Sequence, residues 1–291
     1  MNLISATLWQ NNQIPLGKTM ISSTSNQQMK TIVQLNKKAK ARRELRAFIV
    51  EGIKMFRETP RELLQRVYVS EQFLKEESGH ALLGEKGIDY EVVSDSVFAH
   101  VCDTNTPQGI LAIVAMPEYA FSDLLQEERT RLLVLEDIQD PGNLGTMFRT
   151  GEGAGLTGII MSRETVDLFS PKTVRATMGS IYRVPFYVAE DLHETLHMLR
   201  DSGVHTYAAH LRGEKYYDEP DYTGATAFLI GNEGNGLKKE TADLADTYLK
   251  IPMEGQLESL NAAVAASILM YEAHRQCRSK GDTARCAPGL K

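Results

Sequence analysis

The stretch Leu132-Leu133-Val134-Leu135-Glu136-Asp137-Ile138-Gln139-Asp140-Pro141-Gly142-Asn143-Leu144-Gly145-Thr146-Met147-Phe148-Arg149 decides how the second half of the chain is read. Four apolar residues in unbroken succession lack the alternation of a half-exposed strand. They read instead as a strand covered on both faces, the signature of a parallel sheet. The strand delivers two acids and an Asp-Pro-Gly-Asn turn, and the helix that follows places Thr146 and Arg149, three residues apart, on one face. Gly151, Gly153 and Gly155 superficially resemble a nucleotide-binding loop. Such a loop comes straight off a strand, whereas these glycines follow the apolar run by about fifteen residues and end a helical pattern, where glycine caps the C-terminus.

Working outward, further apolar runs predict strands near 158–161, 184–188, 206–209, 227–230 and 248–251, with helices between them. The first half repeats the alternation: a basic helix over about 30–45, then strands near 48–50, 66–70, 90–93 and 110–114. The expected organisation is a polar tail over 1–28, a small α/β domain over 29–116, a linker over 117–130, a larger α/β domain with a mostly parallel sheet over 131–278, and a tail over 279–291. The small front domain is expected to be removable without loss of the larger domain's ligand site.

Composition removes several classes. A length of 291 residues suits about two domains, and 42% hydrophobic with 24% charged residues is ordinary for a globular chain. The three cysteines, Cys102, Cys277 and Cys286, form no C-x-x-C pair and fit a reducing compartment rather than a disulfide framework. There is no apolar run of membrane-spanning length and no basic leader, so the expectation is a cytoplasmic protein with no membrane partner. The net charge of −6 hides an asymmetry. Between Lys30 and Arg66 stand eleven basic and four acidic residues, a local +7 that leaves −13 for the rest. A basic footprint on an acidic chain points to a polyanion site, with Arg42, Arg43, Arg46 and Lys54 as its candidates.

His193-Glu194-Thr195-Leu196-His197 fits the H-E-x-x-H zinc pattern, but Arg200 stands where the extended motif needs glycine; an amphipathic connecting helix is the expectation, and no metal. Two other segments carry more. Phe228-Leu229-Ile230-Gly231-Asn232-Glu233-Gly234-Asn235-Gly236 is a strand running into a turn whose glycines let a ligand approach the backbone. Ile251-Pro252-Met253-Glu254-Gly255-Gln256-Leu257-Glu258-Ser259-Leu260-Asn261 leads from a strand end through a tight loop into a helix. From Ser259 to Tyr271 there is no charge and much alanine, so that helix is expected to be buried on more than one side and to meet a partner closely at Ala263 and Ala266.

In this order and spacing, the segments around Asn143, Glu233 and Asn261 resemble the three signature motifs of the SpoU (TrmH-type) RNA 2′-O-ribose methyltransferases of the SPOUT superfamily. Phe48-Ile49-Val50-Glu51-Gly52 and Thr106-Pro107-Gln108-Gly109-Ile110 are similar to that family's small ribosomal-protein-like RNA-binding domain. The resemblance implies a trefoil-knotted methyltransferase domain. It also implies S-adenosyl-L-methionine held mainly by backbone groups around Gly231, Ile251 and Leu260, with Ala209, Asn232, Gly234 and Met253 nearby. Asn143, Arg149, Glu233, Ser259 and Asn261 would surround the reacting ribose, in a homodimer whose site lies at the subunit boundary. The implied substrate is RNA, ribosomal RNA being favoured over tRNA because of the front domain. Motif two reads Gly-Asn-Glu where many relatives have Gly-Ser-Glu or Gly-Ala-Glu. A non-catalytic ribosome-assembly factor on the same scaffold is the alternative.

Overall fold

The parallel apolar run expected at 132–135 is an inner strand of a seven-stranded sheet, next to the central one. The computed structural model describes residues 20–126, 129–257 and 259–279, which divide into two units. In the second unit, β5 (Arg131–Leu135), β6 (Gly158–Ser162), β7 (Phe186–Ala189), β8 (His205–Ala209), β9 (Lys215–Tyr216), β10 (Thr226–Ile230) and β11 (Thr247–Lys250) lie in the order β7-β6-β5-β10-β8-β11-β9. Every neighbouring pair is parallel.

Burial explains the pattern. Leu132, Val134, Ile160, Ala208 and Leu229 face a core shared with Leu196 and Leu199 of the helix Leu192–Asp201. The helices Pro141–Ala154 and Ala262–Ser279 lie side by side, and the second also meets β10. A sheet covered on both faces needs apolar residues at successive positions, which is what the sequence shows. Gly155 ends its helix in the left-handed conformation at φ 77°, as the cap reading expected. The two-residue strand β9 escaped the sequence reading because so short a segment carries no periodicity.

The first unit contains β1 (Ala47–Glu51), β2 (Leu64–Ser70), β3 (Glu91–Val93) and β4 (Ile110–Ala115) in the order β1-β4-β2-β3, antiparallel except for β2 with β3. Two expectations change in this unit. The basic helix over 30–45 is two helices, Gln27–Lys37 and Ala39–Leu45, broken where Lys38 is extended at φ −124°. Of the tail expected over 1–28, residues 20–28 belong to the fold: Ile21 bridges to Val93 and is buried with Met29 and Ile32. Residues 1–19, like 280–291 of the expected C-terminal tail, lie outside the described residues.

The division between units is also not a single linker. Leu124, inside the expected linker, is fully buried in the second unit, and its carbonyl accepts from Thr157 Oγ1 at 2.8 Å. Residues Phe169–Gly179, between β6 and β7, belong to the first unit. There the Phe169 ring meets Phe48 at 5.0 Å, Arg175 pairs with Asp103 at 2.8 Å, and Thr173, Val174 and Thr177 are buried. The chain thus passes between the units three times. The front domain is therefore not cleanly removable. A fragment beginning at Glu118 should lose the fold of 169–179, and trypsin should cut after Arg175 far faster in it than in the intact protein. Equal cleavage rates by mass spectrometry would show that the helix Pro171–Thr177 stands without the first unit.

Candidate functional site

Parallel strands end on the same side, so the register places the three motif loops together. Leu135 of β5 pairs with Ile230 of β10, Leu229 with Ala208 of β8, and Ala209 with Leu249 of β11. The loops after β5, β10, β8 and β11 therefore leave from four neighbouring carboxyl ends, the usual place for a ligand crevice in such sheets.

The Glu233 carboxylate joins the first two loops. Its Oε2 accepts from the Gln139 backbone N–H at 3.0 Å, and its Oε1 accepts from the Asp140 N–H and from Asn143 Nδ2, both at 3.0 Å. A carboxylate only accepts, so the Asn143 amide must turn its nitrogen toward Glu233 and its oxygen away. That oxygen accepts from Asn261 Nδ2 at 3.0 Å, which in turn aims Asn261 Oδ1 at the N–H groups of Ala263 (2.9 Å) and Val264 (3.3 Å). Asn261 so caps the last helix while Asp140 caps the helix of motif one, accepting from Asn143 N at 2.8 Å. Partial burial would raise the Glu233 pKa, but the hydrogen bonds from Asn143, Gln139 and Asp140 outweigh it and hold the group below the ordinary carboxylate range.

Gly231 is explained by the turn rather than by a ligand. A Cβ there would stand 2.0 Å from the carbonyl carbon of Gly236 and 2.1 Å from Leu237 N, because Asn232 and Gly236 pair backbone to backbone. Asn232 is consumed by the same turn: Oδ1 accepts from Gly234 N (2.9 Å) and Asn235 N (3.1 Å), and Nδ2 donates to the Asp137 carbonyl (2.9 Å). The sequence expected both near the cofactor; the structure shows both shaping the turn, and a Gly231 substitution would break it.

Arg149 is exposed on the helix that starts at Pro141, and its side chain makes no hydrogen bond or ion pair with another described residue. Ser259 is exposed and Gly234 is exposed, while Ala209, Ile251, Met253 and Leu260 are half-buried around the strand ends and the last helix's start. The structure thus joins Asn143, Glu233 and Asn261 directly, while the side chains of Arg149 and Ser259 make no hydrogen bond with another described residue. Sequence reasoning missed the residues beneath. Glu136, 3% exposed, accepts from Lys238 N (2.8 Å) and Thr241 Oγ1. Asp137 is left-handed at φ 56°, a conformation that costs a non-glycine residue on the order of 1 kcal/mol.

The zinc-like pattern lies on the helix Leu192–Asp201, where His193 Nε2 meets Thr241 Oγ1 at 3.0 Å. Among the described residues no group of three His, Cys, Asp or Glu is placed to hold a metal. Of the basic candidates, Arg43, Arg46 and Lys54 are exposed. Arg42 is not: it is 4% exposed, and its Nη1 donates to the carbonyls of Leu35 (2.5 Å) and Asn36 (3.1 Å), the open end of the preceding helix. The expectation that Arg42 meets RNA is corrected; it is a structural residue.

Two family models match: that described as the SpoU rRNA methylase family over residues 130–271, and an MRM3-like substrate binding domain over 26–112. The chain is 36% identical over 251 residues to the 23S rRNA (guanosine(2553)-2′-O)-methyltransferase RlmP of Bacillus subtilis, covering 86% of this chain and 97% of that one. The chain belongs to the SpoU rRNA methylase family. It is also similar, at 30% identity over 75% of this chain and 91% of the other, to a putative TrmH family tRNA/rRNA methyltransferase of Staphylococcus aureus. Among solved structures, an AdoMet-bound rRNA methyltransferase from Sinorhizobium meliloti matches with a TM-score of 0.78 at 33% identity, over 88% of this chain and 97% of that one.

The filled, depressed Glu233 carboxylate makes a testable statement. Its hydrogen bonds act above the ordinary carboxylate pKa of about 4.3 and are lost only as pH falls through the lower folded value, so Glu233 titrates outside the working range of the site. Glu233→Gln would set an NH2 group against a backbone N–H and should lower turnover roughly tenfold or more, with the shape of the rate profile between pH 5 and 8 unchanged. Disappearance of an acidic limb in that variant would instead identify Glu233 as a proton acceptor.

Proposed function

We propose that this protein is an S-adenosyl-L-methionine-dependent RNA ribose 2′-O-methyltransferase acting on 23S-type ribosomal RNA in the cytoplasm. The observation that carries the reading is the Glu233–Asn143–Asn261 relay, which brings the three motif loops together at neighbouring strand ends, with Arg149 exposed on the helix of motif one and without a partner among the described residues. Names of relatives support the substrate: the Bacillus subtilis relative is a 23S rRNA 2′-O-methyltransferase, and a substrate-binding-domain model spans 26–112. The trefoil knot implied by the resemblance belongs to the same reading.

The donor set fits the cofactor. Half-buried apolar Ala209, Ile251, Met253 and Leu260 suit an adenosyl group, and the exposed turn around Gly234 leaves backbone close at hand. S-adenosyl-L-methionine supplies a methyl group already activated on sulfur. The chain's own task is alignment and help for the hydroxyl in losing its proton. Arg149 holds the phosphate beside the target sugar and stabilises negative charge growing on the 2′ oxygen, using the forked donors of its guanidinium. Glu233 is a fixed acceptor, not a base, so the proton passes to substrate phosphate or water. Ser259, exposed two residues before Asn261, orients the ribose in this reading.

Arg149→Ala should leave cofactor affinity nearly unchanged by calorimetry and lower turnover by roughly 10²-fold, as for a group acting mainly in the transition state. Arg149→Lys should recover little of it, because a point charge does not reproduce the fork. Near-complete recovery with Lys would refute the clamp. At the level of the cell, 2′-O-methyl mapping of total RNA with and without the gene should show one lost site in large-subunit ribosomal RNA; a site lost from tRNA instead would overturn the substrate.

The reading includes a homodimer, with a revised surface. Ala263 (3% exposed) and Ala266 (0%) pack inside the subunit, so they do not serve the partner contact expected of them. The outward face of the last helix carries Val264 and Tyr271, 48% and 50% exposed, with Ile268 half-buried between. Val264→Glu combined with Tyr271→Glu should give folded monomers by sedimentation; an unaltered dimer would place the interface elsewhere.

A further inference from the structure

We propose that Asp137 is a positioning residue for this reaction: locked in a left-handed backbone conformation by Ser162 and Lys238, it offers one carbonyl oxygen that sets both the cofactor turn and the donors to Glu233. The inference rests on the methyltransferase reading and adds to it a residue outside the three motifs' expected set.

The lock is built from every polar group of the residue. Asp137 N–H donates to Ser162 Oγ at 2.8 Å, and Ser162 Oγ donates back to Asp137 Oδ1 at 2.8 Å. With its proton thus spent, Ser162 accepts from Thr165 Oγ1 at 3.1 Å. The other carboxylate oxygen takes Lys238 Nζ at 2.7 Å. Partial burial alone would raise the Asp137 pKa, but Lys238 and Ser162 hold it below the ordinary range, so the carboxylate is charged whenever the enzyme works. With side chain and N–H fixed, the direction of the Asp137 carbonyl is fixed too.

That carbonyl is a junction. It accepts from Asn232 Nδ2 at 2.9 Å and from Gln139 Nε2 at 3.0 Å. Asn232 folds the turn 232–236 around its own Oδ1, so the Asp137 carbonyl anchors the turn at its entry. Lys238 anchors the exit: its N–H donates to the buried Glu136 and its Nζ to Asp137. Gln139 carries the same constraint to the reacting side, because its backbone N–H is one of the donors to Glu233. Its second amide proton goes to the Glu164 carbonyl at 2.8 Å, which leaves the side chain no alternative orientation. A single residue therefore couples the geometry of cofactor turn and ribose-side relay.

Asp137→Ala keeps the left-handed demand and removes both side-chain anchors; Asp137→Asn tolerates the conformation and still accepts from Ser162, but turns its NH2 toward Lys238 and so loses the charge pair. On wild-type enzyme, calorimetry with S-adenosyl-L-methionine and a methylation assay on 23S rRNA fragments come first; no binding and no turnover there would reject the methyltransferase reading itself. Given both, Asp137→Ala should weaken cofactor affinity and lower kcat, each roughly tenfold or more, with RNA affinity by gel shift unchanged. Asp137→Asn and Lys238→Met should each give a smaller effect on both quantities, and the double variant no more than the larger single one, because the two groups act as one pair. Wild-type cofactor affinity and kcat in Asp137→Asn and Lys238→Met, additive losses in the double variant, or equal losses in RNA and cofactor binding would overturn the proposal. The last of these is what general loosening of the fold would produce.

Discussion

The whole site depends on one acceptor that has no protons to give. Glu233 lies beyond β10, and the donors it needs lie beyond β5, the neighbouring strand. Parallel pairing of Ile230 with Leu135 makes that meeting possible, and the absence of a Cβ at Gly231 lets the chain double back at once. Once Glu233 has taken the Asp140 and Gln139 N–H groups, the Asn143 amide has one orientation left, and Asn261 follows. Hydrogen-bond direction, more than packing, specifies the relative placement of three loops that are far apart in sequence. In a chain of hydrogen bonds such as this, each member removes the freedom of the next, although Glu233 and Asn261 are themselves exposed.

What the sequence made legible was local and periodic. The unbroken run at 132–135 gave the buried parallel strand, the glycine at 155 gave a helix end, and the order of the motifs named the family. What it hid was set by distant partners. Arg42 and Arg43 are indistinguishable as letters, yet one is buried on the Leu35 and Asn36 carbonyls and the other is exposed. The alanines of the last helix did announce close approach, but to the chain's own interior. Val174 shows the same limit at the scale of domains. Nothing in the residues around it tells which of two cores it enters, and it enters that of the unit from which it is separated in the chain.

Strain follows the same logic. A left-handed aspartate persists only where its surroundings over-determine it, and Asp137 has Ser162, Lys238, Asn232 and Gln139 around it. None of those contacts is local to the turn in the sense a sequence pattern detects, except Gln139. The two acids at the end of β5, to which the sequence assigned no role, are both posts: Glu136 for the loop exit, Asp137 for the junction of two loops.

The contrast with Arg149 completes the argument about division of labour. In the same unit, Arg163 faces Glu190, Arg183 faces Glu152, Arg200 lies by Asp246 and Arg275 by Glu272. Arg149 stands apart from them, exposed, with no carboxylate partner among the described residues. The acid of the relay, Glu233, takes its hydrogen bonds from neutral amides, with no guanidinium among its described partners. A cation meant to grip a phosphate gains most when no protein anion competes for it. The relay thus does two things at once: it fixes the loops, and by using amides rather than an arginine to satisfy Glu233 it leaves Arg149 unclaimed by that carboxylate, which is what the proposed grip on phosphate requires.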